Sequence, residues 1–572
     1  MTPVHGRWPL PRLFETLRNY DARTFVRDVG AGITVGLVAL PLAMAFAISS
    51  GAPPQSGIYT AIVAGFLISA LGGSKVQIGG PTGAFVVVIS GIIAHHGLDG
   101  LYMCTLLAGA LLVAMGLTGL GGAVRFLPRP VVVGFTNGIA LLIASTQIKD
   151  LLGLDIANPS SVFVPRLLEI GAAIGTLTPA AAALGAGAAL IMLITQRSFR
   201  AVPGAIVALV LGTLAVRFLS LDVETIGSRF GGIPAGLPPI HVPTFRPEMI
   251  RPLLPSVLTV AMLGAIESLM SATVADRLAG DRHDPNTELT AQGIANIFSP
   301  LVGGLPATGA IARTATNIRS GGRTPVAGIV HALTLLVVVL VAAPLASDVP
   351  LAVLAGILLV VAYNMGEWSE IRDILRLSLN DISVWIATFA LTVFADLTVA
   401  VEVGMILAAL LMIRKIAVTT TVVEETEDEV EAARVHLMQD KSVPDDVTVF
   451  RIQGPFLFGG LDKLSAITDP LDRLPRIVVL RLRNMTALDG SGLGALEELA
   501  DTLHATGRTL ILCGAREQPA RLMEKAEFHE HVGDANICAD LDAALARARE
   551  VREAGSAHAE ASRTPRTGVA ER

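Results

Sequence analysis

The sequence predicts a polytopic α-helical membrane protein of two inverted seven-segment repeats, about fourteen transmembrane segments, followed by a cytoplasmic α/β domain. Three observations predict it. Apolar windows without charge recur up to about Lys415. A short motif rich in glycine, proline and threonine occurs twice, at 77–85 and 303–311. The composition then turns polar and acidic after Lys415.

Only 16% of the 572 residues are charged, and mean hydropathy is +0.62. Residues 101–124, LYMCTLLAGALLVAMGLTGLGGAV, carry no charge, and neither do 130–148 or 332–347. Windows of this length mark helices that cross a bilayer. The formal net charge of −6 offers no electrostatic footprint for nucleic acid. Cys104, Cys513 and Cys538 have neither metal-ligand spacing nor the pattern of a disulfide framework. Residues 1–27 are polar and Arg-rich and lack the apolar region and cleavage site of a signal peptide, so they read as a cytoplasmic segment.

Segments are expected near 29–48, 56–72, 82–96, 102–123, 130–149, 172–195 and 203–219 in a first repeat of about 28–220. A second repeat, about 250–416, supplies 253–275, 288–302, 309–318, 325–345, 350–363, 382–395 and 398–413. Several fall short of the ~20 residues that a full crossing needs. Basic residues set the orientation. Arg7, Arg12, Arg18, Arg23 and Arg27 precede the first segment. Arg125 and Arg129, Arg197 and Arg200, Arg277 and Arg282, Arg319 and Arg323, Arg372 and Arg376, and Arg414 and Lys415 follow every second segment thereafter. All lie on one side if both termini are cytoplasmic. The opposite short loops, HHGLDG, PLASDVP and AD, have no Lys or Arg.

Residues 417–445 read as an acidic linker, and 446–552 as a soluble domain of alternating strands and helices. VTVFRI, RIVVLRL and RTLILC are expected strands; 491–506 and 541–551 are expected helices. The Ala/Ser/Arg/Thr-rich tail, 553–572, is expected to be disordered.

The repeated motif explains the short segments. QIGGPTGAF (77–85) and GGLPATGAI (303–311) share a glycine, proline, threonine, glycine, alanine order, and GITVGLVALPLAMAF (32–46) has a counterpart in VLTVAMLGAIESLMSA (257–272). Seven segments per repeat, an odd number, makes the two halves opposite in orientation. Proline and glycine stop a helix from crossing intact, so each repeat is expected to start a half-helix inside the membrane, with Thr82 and Thr308 as N-caps. Unpaired N–H groups and about half a positive charge collect at such a start, so two facing starts make an anion site. Irregular backbone at that depth is tolerated where it lines a cavity.

Arg313 lies about one turn into the second half-helix. An arginine at that depth costs ~2.5–3.5 kcal/mol on insertion scales and is retained if its charge serves the anion site. The plain alternative, a snorkelling anchor, is already supplied by Arg319 and Arg323. Glu267 is a lone carboxylate near the middle of an apolar segment, a candidate to take up and release a proton as the cavity opens and closes. Its plain alternative is a fixed Glu267–Arg313 ion pair. Asp276, near the end of that segment, reads as an interface residue. No phosphate-binding loop, G-x-S-x-G or H-E-x-x-H motif occurs, which argues against an enzyme and leaves no cofactor expected.

With these residues in hand, the chain resembles the SulP (sulfate permease) family of anion transporters with a C-terminal STAS domain, from about Arg23 to Glu550. ALPLAMAFAISSGAPPQSGIYT, QIGGPTGAF and DRHDPNTELTAQGIANIFSPLVGGLPATGAIARTATNIRSGG carry the resemblance. It implies a core and a gate domain, a homodimer, and an anion site between the third and tenth segments. Carried over, that site comprises Phe46, Thr82 and Gly83, with Gly309, Ile311, Ala312 and Arg313. Sodium-coupled bicarbonate members resemble one another in having aspartate and threonine where this chain has Glu267 and Ser271, and this departure favours protons over sodium as the coupling ion. NMTALDGSGLGAL (484–496) resembles the loop of anti-sigma-factor antagonists, in which a serine matching Ser491 is phosphorylated beside an aspartate matching Asp489. On the residues alone, Ser491 is expected to N-cap the following helix, and capping and dimer contact are favoured over phosphorylation.

Three classes of function follow. The leading one is secondary active transport of a small anion (sulfate, dicarboxylate or bicarbonate) in the cytoplasmic, inner membrane. A membrane-anchored signalling protein with STAS output and a polytopic membrane enzyme are the others. Paired half-helices with a buried Glu and Arg favour transport, because an anchor needs neither.

Overall fold

The computed structural model describes residues 10–395 except 19, 123–127, 158, 161, 199–202, 235, 241–243 and 245. Beyond them it describes scattered positions within 396–420 and 458–473, and residues 421–424, 444, 446–457 and 474–561. The chain divides into two compact units, Met1–Ala408 and Ala409–Arg572.

In the first unit the helices follow the apolar windows. The first half holds α1 (Arg12–Leu17), α2 (Ala22–Ser49), α3 (Pro54–Leu71), α4 (Ala84–Leu117), α5 (Arg129–Leu152), α6 (Phe163–Ala172), α7 (Pro179–Ser198) and α8 (Gly204–Leu219). After the short α9 (Ile226–Phe230) come α10 (Ile250–Ala279), α11 (Pro285–Phe298), α12 (Ile311–Arg319), α13 (Pro325–Ala346), α14 (Leu351–Met365), α15 (Trp368–Ile374) and α16 (Leu379–Phe394). Eight helical stretches among the described residues are long and apolar enough to cross a membrane. The two segments expected at 82–96 and 102–123 are the two arms of α4, broken at Gly97 (φ 69°, ψ −175°), a conformation open to glycine alone. The segment expected at 172–195 starts later, at Pro179, because the chain first makes α6; a proline at the first helical position then restarts it. The segment expected at 398–413 falls largely outside the described residues.

The helices group into two bundles. In one, α2, α3, α4, α10, α11, α12 and α13 pack on one another; in the other, α5, α7, α8, α14 and α16 do. In each bundle a pair of facing glycines draws two helices together. A Cβ on Gly109 of α4 would meet the Gly293 carbonyl oxygen of α11 at 2.7 Å, and a Cβ on Gly356 of α14 would meet that of Gly185 of α7 at 2.2 Å. Both crossings bring backbone onto backbone, which is how helices gain packing energy where water supplies none.

Short strands β1 (Gly79–Gly80) and β2 (Thr308–Gly309) form a two-rung antiparallel ladder, Gly79 opposite Gly309 and Gly80 opposite Thr308. The sequence repeat foretold two broken segments but not their pairing. The pairing satisfies backbone groups that have no helix to join at that depth.

The second unit is an α/β sheet in the order β3 (Thr421–Glu424), β4 (Val447–Phe456), β5 (Ile477–Arg481), β7 (Thr509–Cys513), β8 (Ile537–Cys538), with β6 (Met485–Leu488) on the end of β4. β3 is antiparallel to β4 and the rest are parallel. Side chains alternate between two cores. Val478 and Leu480 face α17 (Gly490–Ala505) through Leu493, Leu496 and Leu503; Ile477 and Val479 face α19 (Leu541–Ala561) through Leu541, Ala544 and Leu545. The helix α18 (Glu517–Lys525) lies between them in sequence. Two expectations are corrected. Residues 421–424, placed in the linker, form the edge strand β3, since their β-branched run pairs with β4. The tail expected from 553 is helical to Ala561, because VREAGSAHAEA is rich in strong helix formers. Residues 562–572 and most of the linker lie outside the described residues.

Candidate functional site

The ladder fixes two helix starts in one place. Because β1 and β2 are antiparallel, α4 and α12 leave it from opposite ends and in opposite directions. Neither start is closed by a side-chain cap. In α12 the first helical bond is from Thr314 N to Ala310 O, 2.9 Å. The N–H groups of Ile311, Ala312 and Arg313 therefore precede the helix's own hydrogen bonding. Ile311 is 38% exposed and Ala312 is also exposed, whereas Ala310 and Arg313 on either side of them are buried.

Thr82 and Thr308 do not cap these helices, contrary to expectation. Thr308 lies in the ladder, where its hydroxyl is 2.7 Å from Ser268 Oγ and donates to Gly264 O at 3.3 Å. Thr82 lies past the ladder and donates its hydroxyl to Glu267 Oε2 at 2.9 Å. The repeats align in sequence, yet the ladder takes different positions from each. The two threonines consequently face different partners on α10.

That helix staples the site together. Ser268 Oγ accepts from Gly309 N at 3.2 Å, and its carbonyl accepts from Gln77 Nε2 at 3.2 Å. One turn on, Ser271 Oγ is 3.4 Å from Thr314 Oγ1, which accepts from Ile78 N at 3.0 Å. Glu267, Ser268 and Ser271 thus bind both repeats from one helix. Gly309 is closely covered: a Cβ there would fall 1.7 Å from Gln77 Nε2, and the Gln77 side chain would have to move. Gly83, the last residue before α4, packs between the bundles; its Cβ would meet Met365 Sδ at 2.7 Å and Ile143 Cδ1 at 3.2 Å. Phe46 is buried near the end of α2.

Arg313 is only 2% exposed, so it is no snorkelling anchor. Its Nη2 donates to Pro81 O, in the turn leading to α4, and among the described residues its Nη1 has no hydrogen-bond partner. A Cβ on Gly80 would meet Nη1 at 2.4 Å and Cζ at 3.6 Å, so the guanidinium brings Nη1 up against β1. No ion pair joins Glu267 to Arg313; the carboxylate reaches Thr82 and the guanidinium reaches Pro81, so each residue of the second repeat grips the first. Asp276 holds the loop after α10, accepting from His283 N at 2.9 Å with His283 Nδ1 2.7 Å away.

Several residues of this region had no signal in the motif itself. Asn296 bonds Ala307 twice, through N and O, each at 2.8 Å. Asn317 Nδ2 donates to Val76 O at 2.9 Å, and Thr60 Oγ1 accepts from Leu305 N at 2.6 Å. His331 of α13 is fully buried beside Gly65, with both ring nitrogens unpartnered among the described residues. Their common signal is an amide, hydroxyl or imidazole inside an apolar segment.

In the second unit, Ser491 is not the N-cap of α17. Asp489 is: its Oδ1 accepts from Gly492 N at 2.8 Å, with extended backbone at φ −113°. A carboxylate one residue before the helix outcompetes a hydroxyl already inside the first turn. Ser491 is exposed there.

Residues 25–388 match the model of the Sulfate permease family, and 439–544 that of the STAS domain. The chain is 42% identical over 518 residues to the putative sulfate transporter YvdB of Bacillus subtilis, covering 90% of this chain and 96% of the relative. It is 31% identical over 519 residues to the bicarbonate transporter BicA of Picosynechococcus, covering 88% and 91%. Its fold is that of the solved structure of SLC26A9, at TM-score 0.85 and 17% identity over 96% of this chain and 94% of that one.

Proposed function

This chain belongs to the sulfate permease family, and on that premise we propose that it carries a small anion across the membrane together with a proton, binding the anion between the starts of α4 and α12. It is a multi-pass membrane protein of an anion-transporter family, a transporter rather than an enzyme. The observation that carries the finer reading is the uncapped start of α12, with Ile311 and Ala312 exposed, Arg313 buried in the first turn and no carboxylate paired to it. A buried charge without a counter-ion is costly, and a bound anion supplies one. Phe46, Thr82, Gly83, Gly309, Ile311 and Ala312 line or shape the site, and Arg313 gives it charge.

Glu267 is the proton carrier in this reading. It is half-buried, accepts one hydrogen bond from Thr82 next to the start of α4, and is free of Arg313. Protonation there removes a negative charge close to the arriving anion, so proton and anion bind with positive coupling. Ser271 on the same face completes the coupling region. The Arg-rich loops favour cytoplasmic termini and hence an inner-membrane protein in this orientation. The family resemblance favours a homodimer, with 28–416 as the transport domain and 446–552 as the STAS domain.

The similarity to the bicarbonate transporter BicA raises a second reading, bicarbonate uptake, for which the family resemblance offers sodium as the coupling ion. Proteoliposomes given labelled sulfate, fumarate or bicarbonate, at two internal pH values and with or without sodium, separate the two. Uptake that rises with an inward proton gradient and ignores sodium is expected. Sodium-dependent uptake that ignores the proton gradient would overturn the proton reading and leave the anion site standing. Absence of uptake of any anion would remove both.

A further inference from the structure

A groove of about 400 Å³ runs between the two bundles, away from the ladder. Leu40 and Met44 of α2 and Val339 and Ala343 of α13 form one side; Leu214 and Phe218 of α8 form the other. Its walls are apolar, and the hydroxyl of Thr213 is spent on Leu209 O at 2.7 Å. Charge appears at one end only. There Arg217, in the last turn of α8, pairs with Asp348, just past α13, at 2.8 Å, with side chains 62% and 42% exposed.

Three features say what fits. First, α13 has 22 residues, about 33 Å at ~1.5 Å per residue, so its end near Asp348 sits at the edge of the hydrocarbon. Second, from Val338 to Ala346 the groove descends about 12 Å, close to the ~15 Å of one leaflet. Third, the mouth offers one cation and one anion side by side, both open. We propose that the groove holds an acyl chain of a phospholipid with a primary-amine headgroup, phosphate on Arg217 and ammonium on Asp348. A carboxylate accepts N–H bonds from a primary ammonium and none from a trimethylated one, so phosphatidylethanolamine is preferred to phosphatidylcholine. Since the groove joins α2 and α13 of one bundle to α8 of the other, the chain wedges the seam along which the bundles meet. It lies on the helix that also carries Phe46.

The test is lipid retention by the full-length protein. The protein in mild detergent is given equal amounts of phosphatidylethanolamine, phosphatidylcholine and phosphatidylglycerol of identical chains, plus palmitate, and retained lipid is read by native mass spectrometry. Phosphatidylethanolamine is expected to exceed phosphatidylcholine about tenfold. Asp348→Ala, which leaves no acceptor, is expected to equalise them, Arg217→Gln to lower all phospholipids alike, and Ala342→Phe, which fills the groove, to lower every lipid. Equal retention of the two zwitterionic lipids by the wild type overturns the proposal. So does a preference for phosphatidylglycerol or palmitate, or an ethanolamine preference that survives Asp348→Ala. The readout is independent of transport, so neither result depends on which anion or coupling ion is carried.

Discussion

Helices α12 and α17 begin in the same way and then differ. Each follows a short strand, β2 or β6, after a single intervening residue. For α17 that residue is Asp489, whose carboxylate takes the Gly492 N–H. For α12 it is Ala310, extended at φ −102°, with nothing to offer. The helix of the second unit is closed by its own chain; the helix of the membrane unit is left open, and a donor left unpaired away from water is costly. An uncapped start is common in this chain, since α3, α5, α8, α14 and α18 also lack a side-chain cap; what sets α12 apart is a buried guanidinium in its first turn with no carboxylate paired to it. The two starts within the membrane differ too. The approach to α4 is tied by Thr82 to a carboxylate, while α12 carries the guanidinium.

The largest effect is expected where the ladder itself is broken. Gly309→Ala places a Cβ 1.7 Å from Gln77 Nε2 and 2.7 Å from its Cδ, so the buried Gln77 side chain must give up its bond to Ser268 O or the strand must shift. Loss of the folded protein is expected, seen as aggregation in size-exclusion chromatography. Gly83→Ala, which meets the pliable Met365 side chain, is expected to give a folded protein. Similar behaviour of the two would show that the ladder is not what holds the starts together.

The next effect makes the membrane start resemble the soluble one. Ala310→Asp gives α12 the cap that α17 has and adds a negative charge at the site. A folded protein with at least about 100-fold weaker anion binding is expected, from the loss of two or more charge-assisted hydrogen bonds. Calorimetric titration of purified protein checks it, and unchanged affinity would mean that the open donors do not serve the anion. Arg313→Ala removes the charge but leaves the donors, so its loss of affinity should be smaller, about 10- to 100-fold by the same arithmetic. A larger loss than Ala310→Asp would give the leading role to the guanidinium.

Much of this architecture is legible in the order of the amino acids. Helix positions follow from apolar windows, and the site follows from a motif that occurs twice. Pairing of Gly79–Gly80 with Thr308–Gly309 is not legible there, because two residues carry no strand periodicity and their partners are over 200 positions away. The repeat suggests equivalent roles for Thr82 and Thr308, and the ladder register assigns them different ones. The polar supports, Ser268, Asn296 and Asn317, converge on the site from different helices, and sequence distance hides that convergence. The cap of α17 lies two positions before Ser491 because serine and aspartate both suit an N-cap, and backbone geometry decides between them.

Glu267→Gln sharpens the difference between the two membrane starts. The amide keeps the size of the carboxylic acid and still accepts from Thr82, so the tie to α4 survives while proton exchange is lost. Anion exchange across proteoliposomes is expected to persist within a few-fold, and accumulation driven by a proton gradient to vanish. A variant that still accumulates anion against its gradient would move the coupling elsewhere. Misfolding of Glu267→Gln but not of Thr82→Val would instead make Glu267 a structural strut.

The smallest effect lies in the soluble unit and tests the reference half of the contrast. Asp489→Ala removes the one side-chain acceptor seen at the start of α17, and capping residues contribute about 1 kcal/mol. Ser491→Ala alters an exposed side chain within the first turn and is expected to cost under about 0.5 kcal/mol. Denaturant midpoints of the two variants, measured on the second unit's own unfolding transition in the full-length protein, give the order directly. If Ser491→Ala proves the more damaging, the cap is the serine after all, and α17 no longer shows what a helix start looks like when stability is its only task. If Asp489→Ala costs nothing, an unfilled cap is cheap even in a soluble helix. The open start of α12 would then lose its meaning as a site and be merely a start that was never closed.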